Sequence, residues 1–131
     1  MPFPDAMWCA RAVELFNADP DAPAAASGWP GDVGLVIDGP SPVGVYLAMP
    51  VQGRLPAPEL VTPEQVIARS PRYFARATET DWKLLITGGL DPIAAIVQKR
   101  LVAQGDLSAV VARLQYRGLA ERWLALIRPG V

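Results

Sequence analysis

The residue types that usually perform reactions are scarce in this chain. There is no histidine at all, which removes Ser–His–Asp and Cys–His arrangements together with the commonest metal ligand. Cys9 is the single cysteine, so an internal disulfide is excluded and a zinc site would have to rest on one thiolate plus carboxylates. A nucleophilic role for Cys9 would need a base or a cation beside it. Its place among Trp8, Ala12, Leu15 and Phe16 on an apolar helical stripe suits an inert buried thiol, with Arg11 and Glu14 on the opposite side. Four of the carboxylates are accounted for by position. Asp91 and Asp106 stand at helix starts, Asp81 in a first helical turn and Asp38 beside a hairpin turn, where negative charge satisfies backbone donors. The glycines match neither a phosphate-binding loop nor a dinucleotide fingerprint. These residues predict a protein without catalytic residues, metal or cofactor.

The bulk composition narrows the partners. Twelve basic and thirteen acidic side chains leave a net charge of −1, unlike the basic balance of a nucleic-acid binder. Half the chain is hydrophobic (51%), more than a disordered segment carries. Residues 1–131 are expected to form one domain, large enough to bury about 68% of its unfolded surface. "MPFPDAMWCAR" lacks the basic start and apolar run of a secretion signal. No apolar run approaches the roughly 20 residues of a membrane span. A cytoplasmic protein is expected, with at most transient membrane contact.

Periodicity then places the elements. A first helix starts at Asp5. "DVGLVID" and "VGVYLAM" alternate as strands around the turn "GPSP", which predicts a hairpin. "VQGRLPAPELV" offers a third strand that Pro56 and Pro58 confine to an edge. "TPEQVIARS" reads as a short helix or a loop, and "RYFARAT" as a fourth strand. A helix around Trp82, Leu85 and Ile86 ends at Gly88, and Asp91-Pro92 starts another with Ile93, Ile96 and Val97 on one face. "KRLVAQ" reads as a fifth strand. A stripe of Leu107, Val110, Val111 and Leu114 follows, and Gly118 predicts a break before a last helix carrying Leu119, Trp123, Leu126 and Ile127. The order gives an α+β fold with helices over one face of a mostly antiparallel sheet.

The segment "DWKLLITGGLDPIAAIVQKRLVAQGDLSAVVARL" resembles the C-terminal half of the sterol carrier protein type 2 domain family. The matching positions are Asp81, Trp82, Leu85, Gly88, Leu90, Asp91, Pro92, Ala95, Leu101, Gly105 and Asp106. With the upstream hairpin, the resemblance runs from Gly31 to Leu114, and it points to a bacterial stand-alone member. It departs at Lys99, where many members carry glycine, and at "RLPAPEL", which is shorter than the family's strand.

The resemblance implies a curved five-stranded sheet with a hydrophobic tunnel, and binding of fatty acids, acyl-CoA, sterols or other lipids without catalysis. In that reading the ligand lies among Trp82, Ile93, Ile96, Val97, Val110, Leu114, Trp123 and Ile127, facing Leu35, Val45 and Leu47 of the sheet. Arg100, Arg113 or Arg117 would meet an anionic head group at the rim. Two other readings keep the fold and change the role. One is a filled core whose C-terminal amphipathic helix docks on a twin subunit or an enzyme. The other is an accessory domain detached from an acyltransferase or dehydrogenase.

Overall fold

Short polar side chains set where the helices begin. In a computed structural model, which describes residues 3–26, 31–105 and 114–131, the Asp5 carboxylate accepts the Trp8 backbone N–H at 2.7 Å and opens α1 (Ala6–Ala18). A short α2 (Ala22–Ala26) follows. Thr62 opens α3 (Pro63–Arg69) with a full capping box, its hydroxyl accepting the Gln65 N–H while the Gln65 side chain accepts that of Thr62. Thr78 and Asp91 cap α4 (Glu79–Thr87) and α5 (Pro92–Val97) by accepting the Asp81 and Ala94 backbone N–H groups. Each cap satisfies donors that a helix leaves open and contributes about 1 kcal/mol. Gly88, at φ +88°, ends α4 in the left-handed conformation. "TPEQVIARS" is therefore a helix.

Five strands form one sheet in the order β3-β2-β1-β4-β5: β1 (Val33–Asp38), β2 (Val43–Leu47), β3 (Glu59–Val61), β4 (Tyr73–Thr78) and β5 (Val102–Gln104). The β1–β2 hairpin sets Leu35 opposite Val45. β3 pairs antiparallel with β2, and β5 with β4. The central β1–β4 pairing is parallel, with Leu35 beside Ala75. The sheet is thus mixed, three antiparallel pairings around one parallel. Pro56 and Pro58 precede β3 and leave it three residues long at the edge, where a missing ladder donor costs least.

Alternation along the strands sends Leu35, Ile37, Val43 and Val45 toward α1, α4 and the last helix, α6 (Leu114–Ile127). The reverse face receives α3 alone among the described helices that pack on the sheet's centre. There Val66 fills a notch made by two glycines: a Cβ at Gly34 would lie 2.6 Å from one Val66 methyl, and one at Gly44 would lie 2.5 Å from the other. α6 is continuous through Gly118, so the break expected there does not occur. One glycine inside a helix costs roughly 1 kcal/mol. Burial of Leu119 and Ile127 and the half-burial of Trp123, at i, i+4 and i+8, outweighs it.

Candidate functional site

The apolar layer between sheet and helices is organised by two tryptophans with fixed orientations. Trp82, on α4, donates its indole N–H to the Val36 carbonyl of β1 at 2.9 Å. Trp123, on α6, donates to the Ala12 carbonyl of α1 at 2.8 Å and stands edge-on to Phe16, ring centres 5.8 Å apart. A buried indole needs an acceptor for its single donor, so each ring ties two elements together while filling the space between them. Trp123 packs on both the Ile37–Val45–Ile86 cluster and the Val13–Phe16–Leu55 cluster, so α6 joins them, as α1 does through Ala12 and Val13.

Arginines hold this layer at its margins. Arg122 of α6 grips Asp19 with two bonds of 2.9 and 3.0 Å and reaches Asp21 at 2.7 Å, clasping α6 to the α1–α2 connection. Those bonds hold the Asp19 carboxyl below the usual carboxylate range. Arg128, just past α6, donates to the Ile86 carbonyl at 3.0 Å and so satisfies an open acceptor at the end of α4. On the reverse face Arg76 makes a two-pronged pair with Asp38, both bonds 2.8 Å, which likewise lowers that carboxyl.

The expected ligand-lining residues divide by location. Leu35, Val45, Trp82, Trp123 and Ile127 meet in one cluster around β1 and β2. Leu47 packs on the adjoining cluster with Phe16 and Leu55, and Ile96 packs beside Ala95 and Leu101. Ile93 and Val97 do not join them: they are 53% and 76% exposed on the outer side of α5. The helix is six residues long, and fully buried Ala95 with Ile96 occupies its inward side. Val110 and Arg113 lie outside the described residues, and of Leu114 and Arg117 only the backbone is described. Arg100 is paired with Asp81 at 2.7 Å, where it neutralises a first-turn carboxylate of α4.

A half-open cleft of about 350 Å³ lies between α1 and the end of α6, lined by Trp8, Arg11, Ala12, Leu15, Leu126, Ile127 and Pro129. Arg11, expected on the polar side of α1, reaches its rim. Ala12 and Ile127 in the cleft wall belong to the core behind it. A smaller cleft, about 260 Å³, sits at the β1–β2 turn against Pro4 and Glu79.

Little here suits bond-making chemistry. Burial, reinforced by the charge of Asp5, pushes the Cys9 thiol up to about 11, and the thiol points at the Pro4 carbonyl. Among the described residues no three His, Cys, Asp or Glu side chains converge to hold a metal ion, and no helix is long and apolar enough to cross a membrane.

Neither a family model nor a curated protein matches the sequence. Solved structures do match. A crystal structure of sterol carrier protein 2 superposes with a TM-score of 0.67 at 21% identity, covering 93% of this chain and 94% of that one. The chain has the sterol carrier protein 2 fold. A solution structure of a conserved hypothetical protein from Thermus thermophilus, put forward there as a sterol carrier protein, matches equally well in fold: TM-score 0.67, 20% identity, 95% of this chain and 87% of that one. Ligand-free sterol carrier protein 2 from Yarrowia lipolytica gives a TM-score of 0.58 at 8% identity, over 87% of this chain and 88% of that one. The sterol carrier protein 2 fold thus persists here at identities where few individual side chains coincide.

Lys99 stands in the turn that leads into β5. It adopts φ +60°, the left-handed conformation that favours glycine. Beyond it the Arg100 and Leu101 N–H groups both donate to the Ala95 carbonyl, at 2.8 and 3.1 Å. The turn into β5 thus holds a lysine in an unfavourable backbone conformation.

Proposed function

We propose that this protein binds and carries a hydrophobic ligand, a fatty acid, acyl-CoA or other lipid and in some settings a sterol, without catalysing a reaction on it. The observation that carries the reading is the match to sterol carrier protein 2 along nearly the whole of both chains. Two features of the molecule support it. The layer under α1, α4 and α6 is built from large apolar side chains, including three tryptophans whose neighbours could rearrange around a guest. The cleft along α1 and α6 backs onto that layer, with Ala12 and Ile127 forming the wall they share. Each methylene taken from water adds about 0.8 kcal/mol, so a long acyl chain offsets the cost of entry. The ligand would lie against Leu35, Val45, Trp82, Trp123 and Ile127, and the carrier would work in the cytoplasm.

A second reading rests on Leu126, 55% exposed on α6. In it the core stays filled and α6 docks on another protein, a second copy included. Native mass spectrometry of freshly purified protein separates the two. Co-purified lipid, or uptake of a fluorescent fatty acid, supports the carrier; a ligand-free monomer that ignores the probe counts against it, and a bare dimer favours docking.

A further inference from the structure

Four side chains of α1 line the cleft, at positions 8, 11, 12 and 15. The spacing i, i+3, i+4, i+7 is one continuous helical face. Trp8, Ala12 and Leu15 make that face apolar, and Leu126, Ile127 and Pro129 make the opposing wall apolar too. Arg11 is the one charged residue of the lining. The second polar atom is the Trp8 indole N–H. Trp82 and Trp123 spend theirs on backbone carbonyls, whereas that of Trp8 meets no acceptor among the described residues.

The side chains of the cleft therefore carry donors and no acceptor. An indole N–H donates only, and a guanidinium donates only. A neutral alcohol head could accept there but its own O–H would find no side-chain acceptor, while an anionic head, all acceptor, would satisfy both groups through charge-assisted bonds. Building on the lipid-binding reading, we infer that the α1–α6 cleft selects single-chain amphiphiles with an anionic head, Arg11 and the Trp8 N–H receiving the head and the Leu15–Leu126 walls the start of the chain.

Two acidic groups stand close by, and neither lines the cleft. Asp5 is committed to the Trp8 backbone N–H as the helix cap. Glu14 pairs with Arg11 at 3.1 Å, but both partners are more than half exposed, and such an i, i+3 pair is held by only a few tenths of a kcal/mol. A ligand anion displaces it.

Calorimetric titration of the full chain with decanoate and with decanol, both below their aggregation limits, tests the inference. The wild-type protein should bind decanoate about tenfold more tightly than decanol. Arg11→Gln should bring the two affinities together at the alcohol's level, Trp8→Phe should weaken decanoate about threefold, and Glu14→Gln should tighten it about twofold. Far-UV circular dichroism checks that each variant folds; should Arg11→Gln fail, Trp8→Phe and Glu14→Gln decide. Equal wild-type affinities, or a preference that survives Arg11→Gln, would overturn the selection by charge while leaving lipid binding intact. Failure of both ligands to bind would overturn lipid binding and this inference together.

Discussion

The two faces of the sheet are packed by opposite means. Toward α1, α4 and α6 the strands present Leu35, Ile37, Val43 and Val45, and the helices answer with Trp8, Trp82 and Trp123. Toward α3 the same two strands present Gly34 and Gly44, and Val66 sits directly on backbone. Large side chains meeting large side chains leave other rotamers within reach. A methyl group against a glycine notch leaves none. In the proposed carrier the first face would take up the guest, with the second anchoring the sheet.

Truncating Trp123 to Ala should have the largest effect, since it removes a half-buried ring that packs on two clusters and the Ala12 hydrogen bond: a loss of about 3 kcal/mol in denaturant unfolding, accompanied by weaker fatty-acid uptake. Gly44→Ala acts on the other face. The added methyl would lie 2.5 Å from Val66 and 2.9 Å from the Thr62 carbonyl oxygen, an overpacking cost of about 1–3 kcal/mol. Uptake by the folded fraction should be unchanged, and pairing Gly44→Ala with Val66→Ala should recover part of the loss in a double-mutant cycle. Were Gly44→Ala to impair uptake as much as Trp123→Ala does, the division between the faces would fail.

Lys99→Gly, remote from both packing schemes, should stabilise the protein by roughly 1 kcal/mol because the backbone already holds a conformation that glycine adopts freely. A matching rise in thermal midpoint checks it, and an unchanged midpoint would mean that the lysine conformation carries no strain. Acidification should produce the smallest effect. Asp19 and Asp38 have folded pKa values lowered chiefly by hydrogen bonds from Arg122 and Arg76. Their contribution is fully present above the unfolded value of about 3.9 and is lost as pH falls through the lower folded values. Asp19→Asn and Asp38→Asn should each flatten the acid limb of the stability profile below about pH 4, the first by loosening α6 and the second by loosening β1 from β4.

Local signals were the readable part of the fold. Asp5, Asp91 and Gly88 mark helix ends by their own chemistry, and the "GPSP" turn sets the hairpin because its strands alternate on either side. The capping box of Thr62 and Gln65 is an equally local signal, and it would have decided "TPEQVIARS" in favour of a helix. The parallel β1–β4 pairing has no local signature. It depends on α3 crossing behind the sheet, and the glycines at 34 and 44 acquire meaning only once Val66 arrives. Ile93 and Val97 share a stripe with Ile96, yet in a helix this short the inward side is settled by Ala95 packing closely beneath Leu101 and Ala75. Arg11 was hidden by averaging: a residue at the edge of an apolar face looks polar-side in a helical projection until the opposing wall, here Leu126 and Pro129, defines the cleft.

Heteronuclear NMR of the labelled protein titrated with decanoate observes, residue by residue, which face of the sheet receives the ligand. Saturable shifts are expected at the Trp123 indole and at the amides of Ala12, Val45 and Ile127, with Gly34, Gly44 and Val66 unmoved. Shifts concentrated around Val66, or none at a large excess of ligand, would contradict that expectation.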